Sequence, residues 1–254
     1  MFPTALSRGL NQAAISDSRA YFPLVGLLLG GALVGLEWGA GKIFPPYLTA
    51  ALLLVFLVAV TRGLHLDGLM DVCDGLFGGF TRERRLEIMR DSNVGAFAVA
   101  GAVSVLLLKY GALLSLLSLD ADGRRWSLLL FPSLSRWSMV LLLGAFPYVR
   151  EQGLGSPFHQ GSAKLATSIA GVVAILAAVL IGGIGGAGIL LGVSVLAWLL
   201  GKGMVSLLGG LTGDTYGAAN EVTEVAALVA AVALVPHGWV QPLPIILAVI
   251  LGGI

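Results

Sequence analysis

The chain has 254 residues, 57% of them hydrophobic and 11% charged, with a mean hydropathy of +0.94. Soluble proteins carry about 25% charged residues, so this composition describes an integral membrane protein. The formal net charge of +1 supplies no basic face or tail for a polyanion and sets nucleic-acid binding aside. The single cysteine, Cys73, allows no intrachain disulfide and reads as a small apolar residue.

The first twenty residues carry Arg8, Asp17 and Arg19 without an apolar run ending in small residues, so no cleaved signal peptide is expected. Apolar stretches follow at Tyr21 to Leu36, Tyr47 to Thr61, Val94 to Leu117, Ser127 to Pro147, Ala166 to Ile181, Gly185 to Leu200, Val222 to Val235 and Leu243 to Ile254. A full span takes about 20 residues. The last two are short, and the glycines from Gly182 to Gly188 are compatible with a tight helical hairpin. The expected fold is therefore all-α, a polytopic transmembrane helical bundle of six to eight spans. Short cytoplasmic helices would carry its polar chemistry. No repeat or linker divides the chain, so residues 1–254 are expected to form one domain.

Loop charges set the orientation, because Lys and Arg are enriched on the cytoplasmic side. With the N-terminus inside, the cytoplasmic segments hold Arg8, Arg19, Arg62, Arg82, Arg84, Arg85, Arg90, Arg150, Lys164 and Lys202. The opposite loops hold Lys42, Arg124 and Arg125. This bias predicts that the acidic run after the second span, the loop Tyr148 to Leu165 and the loop Lys202 to Glu221 share the cytoplasmic face.

The acidic run is RGLHLDGLMDVCDGLFGG, Arg62 to Gly79. On a helix the spacings of four and three put Asp67, Asp71 and Asp74 on one face. Two such charges about 6 Å apart repel by about 3 kcal/mol at an effective dielectric of about 20, which a bound cation would relieve. Carboxylate oxygens suit hard divalent ions, and magnesium is usually shared between a few carboxylates and substrate phosphates. This helix thus reads as half of a metal-phosphate site.

The next run, TRERRLEIMRD from Thr81 to Asp91, reads mostly as a solvated helix whose arginines meet lipid headgroups. Arg90 and Asp91 are placed differently, just before the following apolar helix. There Asp91 could act as a fourth metal ligand and Arg90 as a phosphate clamp. Arg136 falls near the middle of its apolar stretch, where burial costs at least about 2.5 kcal/mol. It reads as a contact for an anionic substrate group, or else as half of an internal ion pair. Lys109 is expected to snorkel to the far surface and receives no role.

The last polar element is GLTGDTYGAANEVTEVAAL, Gly210 to Leu228. Its glycines let backbone approach a phosphate, and Asp214 could hold a metal or take a proton from a hydroxyl. Asn220 and Glu221 could grip a ribose or base. An ordinary helix start with dipole-favoured acids is the plainer account. His159 and Lys164 in the loop SPFHQGSAK are weaker candidates.

Three segments, RGLHLDGLMDVCDGLFGG, RRLEIMRDSNVGAFAV and TGDTYGAANEVTE, occur in order and together resemble the signature segments of the cobalamin synthase family, the adenosylcobinamide-GDP ribazoletransferases. Met70, Val72, Cys73, Asn93 and Ala96 depart from the pattern without removing a carboxylate. The resemblance implies a magnesium-dependent transferase of the cytoplasmic membrane that joins adenosylcobinamide-GDP to α-ribazole, or its 5′-phosphate, and releases GMP. It also implies roles: Asp67, Asp71, Asp74 and Asp91 as magnesium ligands, Asp214 and Arg90 at the reacting groups, and Arg62, Arg136, Lys164, Asn220 and Glu221 on the substrates. Membrane anchoring would then serve contact with other enzymes of cobalamin synthesis, with homo-oligomerisation left open. The alternatives are a CDP-alcohol phosphotransferase, whose Asp-Gly is followed by an Ala-Arg that Asp67-Gly68 lacks, and a cation transporter, whose acids would sit at the midplane of several helices.

Overall fold

The computed structural model of the chain describes residues 12–149, 158 and 164–243. His159, Arg8, Arg150 and nearly all of the apolar stretch from Leu243 to Ile254 lie outside them. Within the described residues the structure is helical and has no sheet, only an isolated bridge between Tyr148 and Leu211. The elements are α1 (Gln12–Asp17), a 3-10 turn (Ser18–Tyr21), α2 (Phe22–Ala40), α3 (Pro46–Val60), α4 (Leu64–Gly78), α5 (Arg82–Ile88), α6 (Ala96–Leu117), α7 (Ala121–Ala145), α8 (Lys164–Leu208), α9 (Gly213–Leu234) and a closing 3-10 turn (Val235–His237).

Five of these helices are long and apolar enough to cross a membrane, or six when α3 and α4, bent by 85°, count as one broken span. The 45-residue α8 is itself two helices joined at Gly183, whose φ of 57° and ψ of −140° suit only glycine. Trp137 of α7 shows that the arms run side by side. Its ring faces Gly171, where a Cβ would stand 3.3 Å away, and its Nε1 donates to Ser194 Oγ at 3.0 Å. On a straight helix residues 171 and 194 would be about 34 Å apart, so the chain doubles back, as the glycine run suggested.

Helix α7 is the axis of the bundle, with α2, α8 and α9 packed around it. Gly26 and Gly30 lay the α2 backbone directly on α7; a Cβ on Gly26 would come within 2.6 Å of the Pro132 carbonyl carbon. Without water to drive association, such small-residue contacts let helices gain dispersion and hold together in lipid. At one end of the bundle Glu37 receives Arg124 (2.8 Å) and Arg125 (3.3 Å).

The other end gathers the segments rich in polar chemistry. The Leu211 N–H donates to the Pro147 carbonyl (2.8 Å), and the Val149 N–H to the Leu211 carbonyl (2.9 Å). Arg85 of α5 donates through Nε to the Gly79 carbonyl at 2.9 Å and through Nη1 to the Leu207 carbonyl at 3.3 Å. The Arg82 guanidinium lies against Gly209, a glycine at φ 79°. Arg85, read from sequence as solvated, therefore ties α5 to the end of α8, while Arg82 is exposed, as that reading expected.

Candidate active site

The site forms where α4 crosses the start of α9. Arg62 and Gly63 both take left-handed backbone, with φ of 54° and 69°, and this elbow turns the chain from α3 into α4. On the facing strand of chain, Thr212 and Thr215 cap α9 reciprocally: the Thr212 N–H donates to Thr215 Oγ1 at 2.9 Å, and the Thr215 N–H to Thr212 Oγ1 at 3.3 Å. The cap starts the helix and puts Asp214 in its first turn.

Glycine brings the two helices together. A Cβ on Gly68 would lie 2.8 Å from the Asp214 carbonyl oxygen, and one on Gly217 would lie 3.1 Å from the His65 backbone. At about 100° per residue, Asp71 lies about 60° and Asp67 about 100° around α4 from Gly68, both in the same sense and about 40° from each other. The acidic run and the first turn of α9, expected on one face of the protein, meet at the backbone. Asp67 is exposed and Asp71 and Asp214 are half-buried; Asp214 Oδ2 also accepts from Thr212 Oγ1 at 3.4 Å.

Asp74 departs from the expected ligand set. Its Oδ2 accepts from the Gly95 N–H at 2.6 Å and its Oδ1 from the Ala98 N–H at 2.8 Å, so the carboxylate caps α6 from a neighbouring helix. Helix N-termini expose N–H groups that need acceptors, and Gly95 leaves the room for one, because a Cβ there would come within 2.6 Å of Asp74 Oδ1. Asp91 is also elsewhere. It sits on an exposed loop, and its Oδ1 accepts from Asn93 N at 3.0 Å and Nδ2 at 2.6 Å; these bonds hold its carboxyl below the usual range. Among the described residues no three His, Cys, Asp or Glu side chains form a group able to hold a metal ion. The four-carboxylate centre is therefore not assembled from protein alone.

Arg136, Asn220 and Glu221 were read as substrate contacts, and the structure places all three among buried partners. Arg136 is 3% exposed, and its Nη1 pairs with Glu224 and reaches Ser135 Oγ at 3.0 Å. Lys109 is 2% exposed and pairs with Glu224 and, at 2.7 Å, with Glu221. It does not snorkel, because it faces α9 rather than lipid. Asn220 Nδ2 donates to Glu224 Oε1 at 3.1 Å and to His65 Nδ1 at 3.0 Å. Two cations and two anions thus balance inside the bundle, around a cavity of about 10 Å³, room for about one water molecule. The internal ion pair, the second of the two readings of Arg136, is the observed one.

Arg90 and Lys164 are exposed; Arg62 is exposed too, at the elbow. Sequence reasoning passed over His65 of α4, whose Nδ1 meets Asn220 beside the buried ions. It also passed over Arg19, counted only for topology, which is 5% exposed with no hydrogen-bond partner for its Nε. The available signal was charge balance: Lys109, Arg136, Glu221 and Glu224 are mid-helix charges that sum to zero, and unpaired charges in lipid are costly.

Fold and site together define a multi-pass helical membrane protein with an acid- and arginine-bearing face at one end. The family model described as cobalamin-5-phosphate synthase matches residues 1–232. Relatives named adenosylcobinamide-GDP ribazoletransferase include one from Desulfitobacterium hafniense, 42% identical over 85% of this chain and 86% of its own length. One from Escherichia coli is 40% identical over 90% and 92% respectively, and one from Roseiflexus is 40% identical over 86% and 80%. The chain belongs to the cobalamin-5-phosphate synthase family and is a transferase of substituted phosphate groups in cobalamin biosynthesis. No solved structure matches it.

Proposed function

We propose that this enzyme transfers the adenosylcobinamide phosphoryl group from adenosylcobinamide-GDP to α-ribazole, or to its 5′-phosphate, with release of GMP. The acceptor hydroxyl oxygen attacks the corrinoid-side phosphorus, the phosphoanhydride bond to GMP breaks, and the hydroxyl proton passes to a base. The observation that carries this reading is the glycine seam of α4 and α9, which puts the Asp67–Asp71 turn beside Asp214.

Magnesium fits the donors at this seam. Hard carboxylate oxygens from Asp67 and Asp71 are the kind of partial ligand set that magnesium completes with substrate phosphates and water. Bound there, the ion would neutralise charge on the diphosphate. Asp214 would take the hydroxyl proton, and Arg62, Arg90 and Lys164 would meet the phosphates as exposed cations. Arg136 pairs with Glu224, Asn220 bonds Glu224 and His65, and Glu221 pairs with Lys109, and the substrate-binding role passes from them to the exposed set. The enzyme works in the cytoplasmic membrane with this face toward the cytoplasm, the side the Lys and Arg bias favours.

The test is turnover of purified protein with adenosylcobinamide-GDP and α-ribazole, with and without magnesium, the corrinoid product being identified by mass. GMP and the joined corrinoid should appear only with magnesium. Asp71→Ala should lower kcat by about a hundredfold or more, since even residues behind metal ligands cost about 10–100-fold. Full turnover of that variant, or product without magnesium, would overturn the reading.

A further inference from the structure

The buried ions pair with one another around a cavity of about 10 Å³ that Thr61 and Leu66, on either side of the α3–α4 elbow, also line, a space too small to admit a substrate group. Yet one member of the network reaches the aspartate helix. Asn220, held by Glu224, donates to His65 Nδ1 at 3.0 Å. A donor amide on Nδ1 requires the neutral tautomer with its proton on Nε2.

We infer that His65 is a positioning residue: its bond to Asn220 ties the first turn of α4 to the buried ion network and holds Asp67 and Asp71 in register with Asp214. The inference rests on the reading of those two aspartates as the magnesium carboxylates. Three features of α4 call for such a tie. It is short, fifteen residues, and follows an 85° bend. Its N-cap, Gly63, supplies no side-chain cap. Its packing on α9 is a glycine seam, at Gly68 and Gly217. Backbone-to-glycine contact sets how closely two helices approach but resists axial sliding weakly, whereas a buried directional hydrogen bond selects one register. Asn220 can supply that reference because Glu224 is fixed from two other helices, by Lys109 of α6 and Arg136 of α7.

The experiment compares H65F, which keeps a planar ring but no acceptor, with H65N, whose amide oxygen stands at a reach similar to Nδ1. The readouts are kcat, the KM for adenosylcobinamide-GDP and the magnesium concentration giving half-maximal rate. H65F should raise that magnesium concentration about 10–100-fold, as loss of groups that orient metal ligands does. It should also lower kcat more than it changes KM, and H65N should recover most of both. Wild-type kcat and magnesium requirement in H65F, or H65N no better than H65F, would overturn the inference. If H65F does not fold, H65Q, which moves the acceptor by one bond, replaces it: a raised magnesium requirement supports the tie and an unchanged one removes it. Asp71→Ala measured in parallel separates the two readings. Full turnover there strikes the magnesium assignment itself, while an inactive Asp71→Ala beside an unaffected H65F strikes only the role of His65.

Discussion

Asp74 lies less than one helical turn beyond Asp71, yet the two carboxylates do different work. The backbone N–H groups of Gly95 and Ala98 reach Asp74 at 2.6 and 2.8 Å, and it is 9% exposed, so it serves as the cap that α6 cannot draw from its own N-cap, Gly95. A charged acceptor for one buried and one half-buried N–H group contributes about 1.5–3 kcal/mol. Asp74→Ala should therefore lower the thermal midpoint in detergent, while its surviving folded fraction keeps the wild-type magnesium requirement. A shifted magnesium requirement at unchanged midpoint would return Asp74 to the metal centre. Asp74→Asn, which retains one acceptor oxygen, should fall between Ala and wild type.

Among the elements, α9 carries the most. Its first turn brings Asp214 to the site, and its next two turns bring Asn220, Glu221 and Glu224 to the buried ions. Those ions lie between α6, α7 and α9, and the pairing keeps each charge from standing alone in lipid. Breaking a buried pair from one side costs about 3–5 kcal/mol, because the remaining charge is left uncompensated. Lys109→Met leaves Glu221 and Glu224 with Arg136 alone, and should destabilise the protein by about that amount. Adding Glu221→Gln restores one cation to one anion and should recover a good part of the loss. The check is thermal unfolding of both variants in one detergent; equal midpoints for single and double variants would argue against charge balance as the cause.

At the scale of the molecule, the described basic residues divide unevenly between the two ends. Arg19, Arg62, Arg82, Arg84, Arg85, Arg90, Lys164 and Lys202 belong to segments at the end with the site, Lys42, Arg124 and Arg125 belong to the other, and Lys109 and Arg136 are buried between them. Positive charge remains on the cytoplasmic side during insertion, so the site should open to the cytoplasm. In a Cys73→Ser background, R84C should react with a membrane-impermeant thiol reagent only in inside-out vesicles, and K42C only in right-side-out ones. The reverse pattern would invert the topology. The 85° elbow at Arg62–Gly63 and the reversal at Gly183 also belong to this scale, since they bring distant polar segments to one end of the bundle.

Much of this was legible in the amino-acid order alone. Hydropathy marks the helices because lipid offers backbone groups no partners and forces them to bond within the segment. Glycines mark the hairpin at Gly183, and three ordered motifs carry the family. What could not be read was which charges face one another. Spacing aligns Asp67, Asp71 and Asp74 on one side of α4 but is silent on the α6 N-terminus that captures Asp74. Hydropathy locates Lys109 and Arg136 within apolar helices but not the glutamates opposite them on α9. A helical pattern specifies direction around its own axis, whereas the partner in that direction is set by helix packing, here by glycine contacts that decide which helices touch and how closely. Tertiary structure alone therefore decided that Asp67 and Asp71 stay at the α4–α9 seam while Asp74 caps a neighbouring helix, and that the deepest charges pair with each other.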